Sequence, residues 1–247
     1  MSRNKKKNSL FITTKELEND LGPNILKYHQ LDIADQNSIS TFSQYIQNEH
    51  QGFDVLVQNA GFAFKHAATE PFDVQAEKTL AINFWGTLNM MKAFYPLANQ
   101  NARIVNVSSM VSQSCMFGFR PKWGNPIAKE LHSVNIDLSL EKLEELAVKF
   151  VSDCKANENE KSGWPQTAYG VSKLLVNGIT RVYAKQARTD GKGILVNCCC
   201  PGYVKTDMSS HSENATKVPV QGAETSVWLS LLPPGLSGPQ GTYVTDC

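Results

Sequence analysis

Four times along the chain an apolar, β-branched run ends in a short polar or glycine-rich turn. Ile25 to Ile33 closes on Asp32, Phe53 to Val57 runs into Asn59-Ala60-Gly61, Arg103 to Val107 into Ser108-Ser109, and Ile194 to Cys199 into Pro201-Gly202. Near-continuous apolar runs are what a parallel strand covered on both faces requires. Between them, Ser38 to Glu49, Gln75 to Tyr95 and Ala168 to Arg188 have helical spacing. Strand and helix therefore alternate, which predicts an α/β fold: a doubly wound, Rossmann-like parallel sheet with right-handed crossovers. Ligands of such sheets bind outside the carboxyl ends of the strands, where all four turns converge.

At 247 residues and 41% hydrophobic content the chain suffices for one large α/β domain. Its 24 Lys and Arg balance 23 Asp and Glu, so no global field directs it to nucleic acid or an anionic membrane. The basic run Arg3, Lys5, Lys6, Lys7 reads as a solvated face. No apolar stretch approaches a membrane span or a signal-peptide core, so a soluble, cytoplasmic protein is expected. Cys115, Cys154 and Cys247 are scattered, while Cys198, Cys199 and Cys200 are consecutive and alternate between strand faces. That pattern fits reduced thiols rather than a disulfide framework or a metal site.

Two regions depart from the repeat. Phe119 to Gly163 reads as a helical insertion whose Leu140, Leu143, Leu146, Ala147 and Phe150 would pack onto the parent domain. Before residue 50 there is one glycine, Gly22, and nothing like the glycine-rich turn that opens a dinucleotide fold.

Tyr169-Gly170-Val171-Ser172-Lys173 places a phenol and an ammonium four residues apart, on one face of a helix. A free phenol titrates near pH 10, and a nearby ammonium favours its phenolate, so Lys173 is expected to make Tyr169 a usable acid. Such spacing is common in helices, and context carries the assignment. Ser109, at a strand end, reads either as a turn residue or as a donor to a substrate oxygen. Asn83, in an otherwise apolar helical segment, reads either as a bonded core amide or as the holder of a relay water.

Asn59-Ala60-Gly61, Asn83, Val107-Ser108-Ser109, Tyr169-x-x-x-Lys173 and Pro201-Gly202, in this order, resemble the short-chain dehydrogenase/reductase family along nearly the whole chain. Gln30-Leu31-Asp32-Ile33, Ala63-Phe64-Lys65, Gly163-Trp164-Pro165 and Cys199-Cys200-Pro201-Gly202 look like its animal NADPH-dependent carbonyl reductases, as does the 60-residue separation of Ser109 from Tyr169. The resemblance implies one domain over 1–247 with an insertion at about 119–163, and reduction of aldehydes, ketones or quinones to alcohols. Tyr169 would donate the proton, Ser109 would orient the carbonyl, and Lys173 would lower the phenol pKa and hold the nicotinamide ribose. Asn83 would complete the relay. NADPH would be held by Asp32 and Ile33 at the adenine, Asn59 at the ribose, and Val204, Lys205 and Thr206 at the carboxamide. Arg3 would pair with the 2′-phosphate. Gln75 and Cys200 would line the substrate mouth, with glutathione conjugates among the substrates. The insertion would cover an oligomerising surface and favour a monomer.

Against that family, the chain is expected to lack the first βαβ unit with its Gly-rich turn, about 30 residues. Loss of a central strand would leave buried backbone groups unpaired, at a cost expected to exceed the roughly 5–15 kcal/mol stability of a domain. An incomplete gene model or splice form, a non-enzymatic variant, and a chain completed by a partner each account for it. The alternative function is a catalytically silent isoform that binds through exposed sheet edges. Gln58 stands where the family usually has Asn, and its longer amide is expected to be tolerated.

Overall fold

The computed structural model describes residues 17–22, 25–65, 67–117, 138–209 and 212–246. Its sheet has four parallel strands in sequence order: β1 (Phe53–Gln58), β2 (Ala98–Val107), β3 (Leu195–Cys200) and β4 (Tyr243–Thr245). The helices are α1 (Gln36–His50), α2 (Phe72–Leu80), α3 (Thr87–Phe94), α4 (Met110–Phe117), α5 (Leu140–Lys155), α6 (Ala168–Ala187) and α7 (Pro219–Ser230). A π-helical turn, Ala81–Gly86, joins α2 to α3.

Local signals set the helix starts. The Asp35 carboxylate accepts from Asn37 N before α1, the Ser139 hydroxyl from Lys142 N before α5, and the Thr167 hydroxyl from Gly170 N before α6. Residues on one face of the sheet, Ile104 and Val196 with the partly buried Leu56, join a core with Leu80, Phe84, Leu88, Phe150, Val171, Leu175 and Ile179. The helix of the insertion belongs to this core: Leu143, Leu146, Ala147 and Phe150 are buried there. Residues 118–137 of the insertion lie outside the described residues.

The opposite face is covered unevenly. Val105 and Cys199 pack with Leu229 of α7. Val57, in register with Val105, is 41% exposed, and Val55 on the same face is 45% exposed. Among the described residues β1 is the last strand on its side of the sheet.

The expected strand from Ile25 to Ile33 is not a strand. A β conformation is stable only with a hydrogen-bonded neighbour, and no described strand lies beyond β1. Ile25 is 63% exposed, while Leu31 and Ile33 dock into a satellite core with Ile39, Met90 and Phe94. That docking depends on Gly86: a Cβ there would lie 2.9 Å from the Ile33 carbonyl oxygen and 3.0 Å from its side chain. β2 starts earlier than expected, at Ala98. β4 and α7 went unforeseen, β4 because three residues among glycines and prolines carry little periodicity.

Gly86→Ala is expected to destabilise the chain by about 1–3 kcal/mol, read as a lower urea midpoint, and to speed amide exchange near Ile33. An unchanged midpoint would mean that the Ile33 contact is slack.

Candidate active site

The carboxyl ends of β1, β2 and β3 bring their turns to one edge of the sheet, and α6 lies across it. α6 is buried along most of its length. Its Tyr169 side faces the end of β2. There the Ser109 hydroxyl lies close enough to the Tyr169 phenol to oppose the rise in its pKa, and the Lys173 Nζ donates to the Val107 carbonyl at 2.8 Å. Lys173 is 5% exposed, and its Nζ sits 5.7 Å from the centroid of the Tyr169 ring.

These contacts alter the expected electrostatics. Burial raises the Tyr169 pKa, and the Ser109 hydroxyl offsets this only in part. The Lys173 ammonium is bonded to the Val107 carbonyl beneath the ring. Burial brings Lys173 down to about 8, against the pull of Cys199, Cys200 and Cys198 in the other direction. At neutral pH the phenol therefore holds its proton and the lysine stays largely charged.

Asn83 lies in the π-helical turn, 1% exposed. Its Oδ1 accepts from Phe62 N at 2.7 Å, and its Nδ2 donates to Phe62 O at 2.8 Å and to Ser172 Oγ at 3.0 Å. The Ser172 hydroxyl in turn donates to Tyr169 O at 2.8 Å. Asn83 thus braces the turn after β1 against the first turn of α6. A Cβ on Gly61 would sit 3.4 Å from both Asn83 Oδ1 and Lys173 Nζ. The bare backbone of Gly61 thus runs close beside both groups.

The remaining candidates are spread around this edge. Asn59 is exposed at the end of β1. Asp32 is exposed, its carboxylate accepting from Ala34 N at 3.0 Å, and Ile33 is half-buried beside the π turn. Val204, Lys205 and Thr206 follow β3: Lys205 N donates to Lys217 O, and Thr206 N to Ser209 Oγ. Gly222 admits Val204, since a Cβ there would lie 2.5 Å from Val204 Cγ2. Gln75 is half-buried and donates to Glu70 O at 2.8 Å. Cys200 is 2% exposed, its sulfur accepting from Met110 N at 3.2 Å and Gly202 N at 3.3 Å. Arg3 lies outside the described residues.

Sequence reasoning missed the polar groups beneath the site. Gln58 Nε2 donates to Asn106 Oδ1 and Asn106 Nδ2 to Thr180 Oγ1, both at 2.9 Å, so the longer amide at position 58 has its partner. Asn177 bonds both Ser108 and Ser112. Its signal was available: it continues the four-residue spacing of Tyr169 and Lys173.

A family model for short chain dehydrogenases matches residues 3–121 and 130–217. The chain belongs to the short-chain dehydrogenase family. It is 42% identical over 222 residues to carbonyl reductase (NADPH) 1 of Homo sapiens, covering 89% of this chain and 77% of that relative. It is 39% identical over 226 residues to carbonyl reductase (NADPH) 3 of Mus musculus, with the same shares covered. Among solved structures it is similar to salutaridine reductase from Papaver somniferum, with a TM-score of 0.76 and 28% identity over 94% of this chain and 86% of that one. The menthone neomenthol reductase of Mentha piperita gives a TM-score of 0.72 and 26% identity over 94% and 84%. This family member therefore has a Rossmann-like fold.

Titration of the Lys173 Nζ by nitrogen-detected NMR is expected to show a midpoint near 8, below the roughly 10.4 of ordinary lysines. Its charge is thus lost as pH rises through about 8, and Lys173→Met removes that resonance. A midpoint at the ordinary lysine value would contradict the burial argument.

Proposed function

We propose that this chain is an NADPH-dependent carbonyl reductase that converts aldehydes, ketones or quinones to alcohols, with Tyr169 as proton donor. The observation that carries the reading is the convergence of the Ser109 hydroxyl on the Tyr169 phenol at the open ends of the strands, with Lys173 buried on the same helix and bonded to the Val107 carbonyl. The names of the similar carbonyl reductases support the cofactor and the substrate class.

The residues at the nicotinamide end fit such a cofactor: the bare backbone of Gly61, the exposed Asn59 and the Val204–Thr206 turn all border Lys173 or the strand ends. Asp32 and Ile33 stand for the adenine side, and Arg3 for a 2′-phosphate. Among the described residues no glycine-rich strand, turn and helix is available for the pyrophosphate, and no residue is assigned to it. When bound, NADPH supplies the hydride.

The protein's own residues handle the other half of the reaction. Tyr169, its pKa raised by burial, holds a proton at neutral pH and passes it to the carbonyl oxygen as that oxygen gains charge. Ser109 orients the same oxygen by hydrogen bonding. Lys173 carries positive charge beneath the phenol and favours the phenolate left behind. Asn83 fixes the turn beside Gly61 and Lys173, and the relay water of this reading is assigned to that side of the lysine. Gln75 and Cys200 extend the proposal to carbonyl-bearing glutathione conjugates. Of the two, only Gln75 has an accessible side chain, and Cys200 acts from beneath the loop. The reading includes a cytoplasmic monomer, supported by the packing of α5 into the main core.

A second reading, a silent chain that binds a partner at the edge of β1, is favoured by the exposed Val55 and Val57. NADPH titration followed by fluorescence separates the two, saturable binding being expected for the reductase. Tyr169→Phe is expected to lower turnover roughly a hundredfold or more with NADPH affinity unchanged. Wild-type turnover in that variant would eliminate Tyr169 as the donor. Absence of NADPH binding at millimolar concentration would favour the silent chain.

A further inference from the structure

Asn177 lies two turns beyond Tyr169 and one beyond Lys173 on the same face of α6, yet it reaches neither. It is 4% exposed, and every polar atom of its amide is engaged. Oδ1 accepts from the Ser108 hydroxyl at 2.6 Å and from the Cys198 thiol at 3.4 Å. Nδ2 donates to Ser112 Oγ at 2.9 Å, and the Ser112 hydroxyl donates onward to Ser109 O at 2.6 Å. Ser108 is 1% and Ser112 0% exposed, so these bonds form away from water, where an unpaired group is costly.

The geometry points to Asn177 as a positioning residue for Ser109, a role that rests on the reductase reading above. Asn177 grips the residue before Ser109 directly and the backbone of Ser109 itself through Ser112. With both sides of the turn tied to α6, the Ser109 side chain is left to face Tyr169, on the helix that carries Asn177. The separation between the serine and the phenol is then set within one helix-to-turn unit. Ser109 Oγ also accepts from Val111 N at 3.3 Å, so its side chain is tied to the start of α4 as well. The donor–acceptor order is complete, each hydroxyl in the path giving one proton and the amide giving its own.

The test uses the whole chain with its tyrosines labelled at Cζ, a carbon whose shift reports hydrogen bonding of the phenol without any cofactor. Ser109→Ala is expected to move the Tyr169 signal at neutral pH. Asn177→Leu and the milder Ser112→Ala are expected to move it in the same direction, and the double variant no further than Asn177→Leu alone. With NADPH and a carbonyl substrate, Ser112→Ala is expected to lower kcat about tenfold or more with the KM for NADPH unchanged. If Ser109→Ala moves the signal while Ser112→Ala and Asn177→Leu leave it in place, the positioning role is overturned and the reductase reading stands. If Ser109→Ala itself leaves the signal unmoved, the Ser109–Tyr169 bond fails and both fall.

Discussion

The site depends on a buried polar seam between one face of α6 and the end of β2. Lys173 meets the Val107 carbonyl, Asn177 meets Ser108 and Ser112, and Thr180 meets Asn106. Each bond is formed out of water, so each partner constrains the other, and a one-residue slip of helix against strand would orphan several buried groups together. That penalty fixes where Tyr169 stands relative to Ser109. The apolar core under the seam, built from Ile104, Val171, Leu175 and Ile179, supplies cohesion but no register of comparable sharpness.

The seam was only partly legible in the sequence. The strands near 53–57, 103–107 and 194–199 were readable because continuous β-branched runs have few other uses, and Tyr169, Lys173 and Ser109 were readable from their order along the chain. The run from Ile25 to Ile33 carries the same signal and forms no strand, because pairing is a property of two segments and a sequence pattern describes one. The π turn that presents Asn83 was hidden inside what reads as one helix from Gln75 to Tyr95. Asn177 continues the four-residue spacing of Tyr169 and Lys173, but an amide in a helix has no meaning until its partners are known. The upward Tyr169 shift was not legible for a related reason, since spacing places the lysine near the phenol but does not show how deeply the phenol is buried.

The two ends of the expected cofactor site are unequal in this chain. The end proposed for the nicotinamide is bordered by the seam, Gly61 and the turn after β3. On the far side, Val55 and Val57 of β1 stay exposed although α7 packs beside the strand. A parallel sheet is ordinarily covered on both faces. Tyr169, Lys173 and Asn83 lie away from those valines, on α6 and on the π turn between α2 and α3 on the opposite face. The chemistry and the grip on the cofactor are therefore separable properties of this fold.

The most direct measurement is a crystal structure of the protein with NADP and a carbonyl ligand. The account predicts the carbonyl oxygen hydrogen-bonded by both the Tyr169 and Ser109 hydroxyls, with the Ser108–Asn177–Ser112 bonds intact. A ligand held elsewhere, or a Ser109 side chain turned away from Tyr169 in that complex, would contradict it.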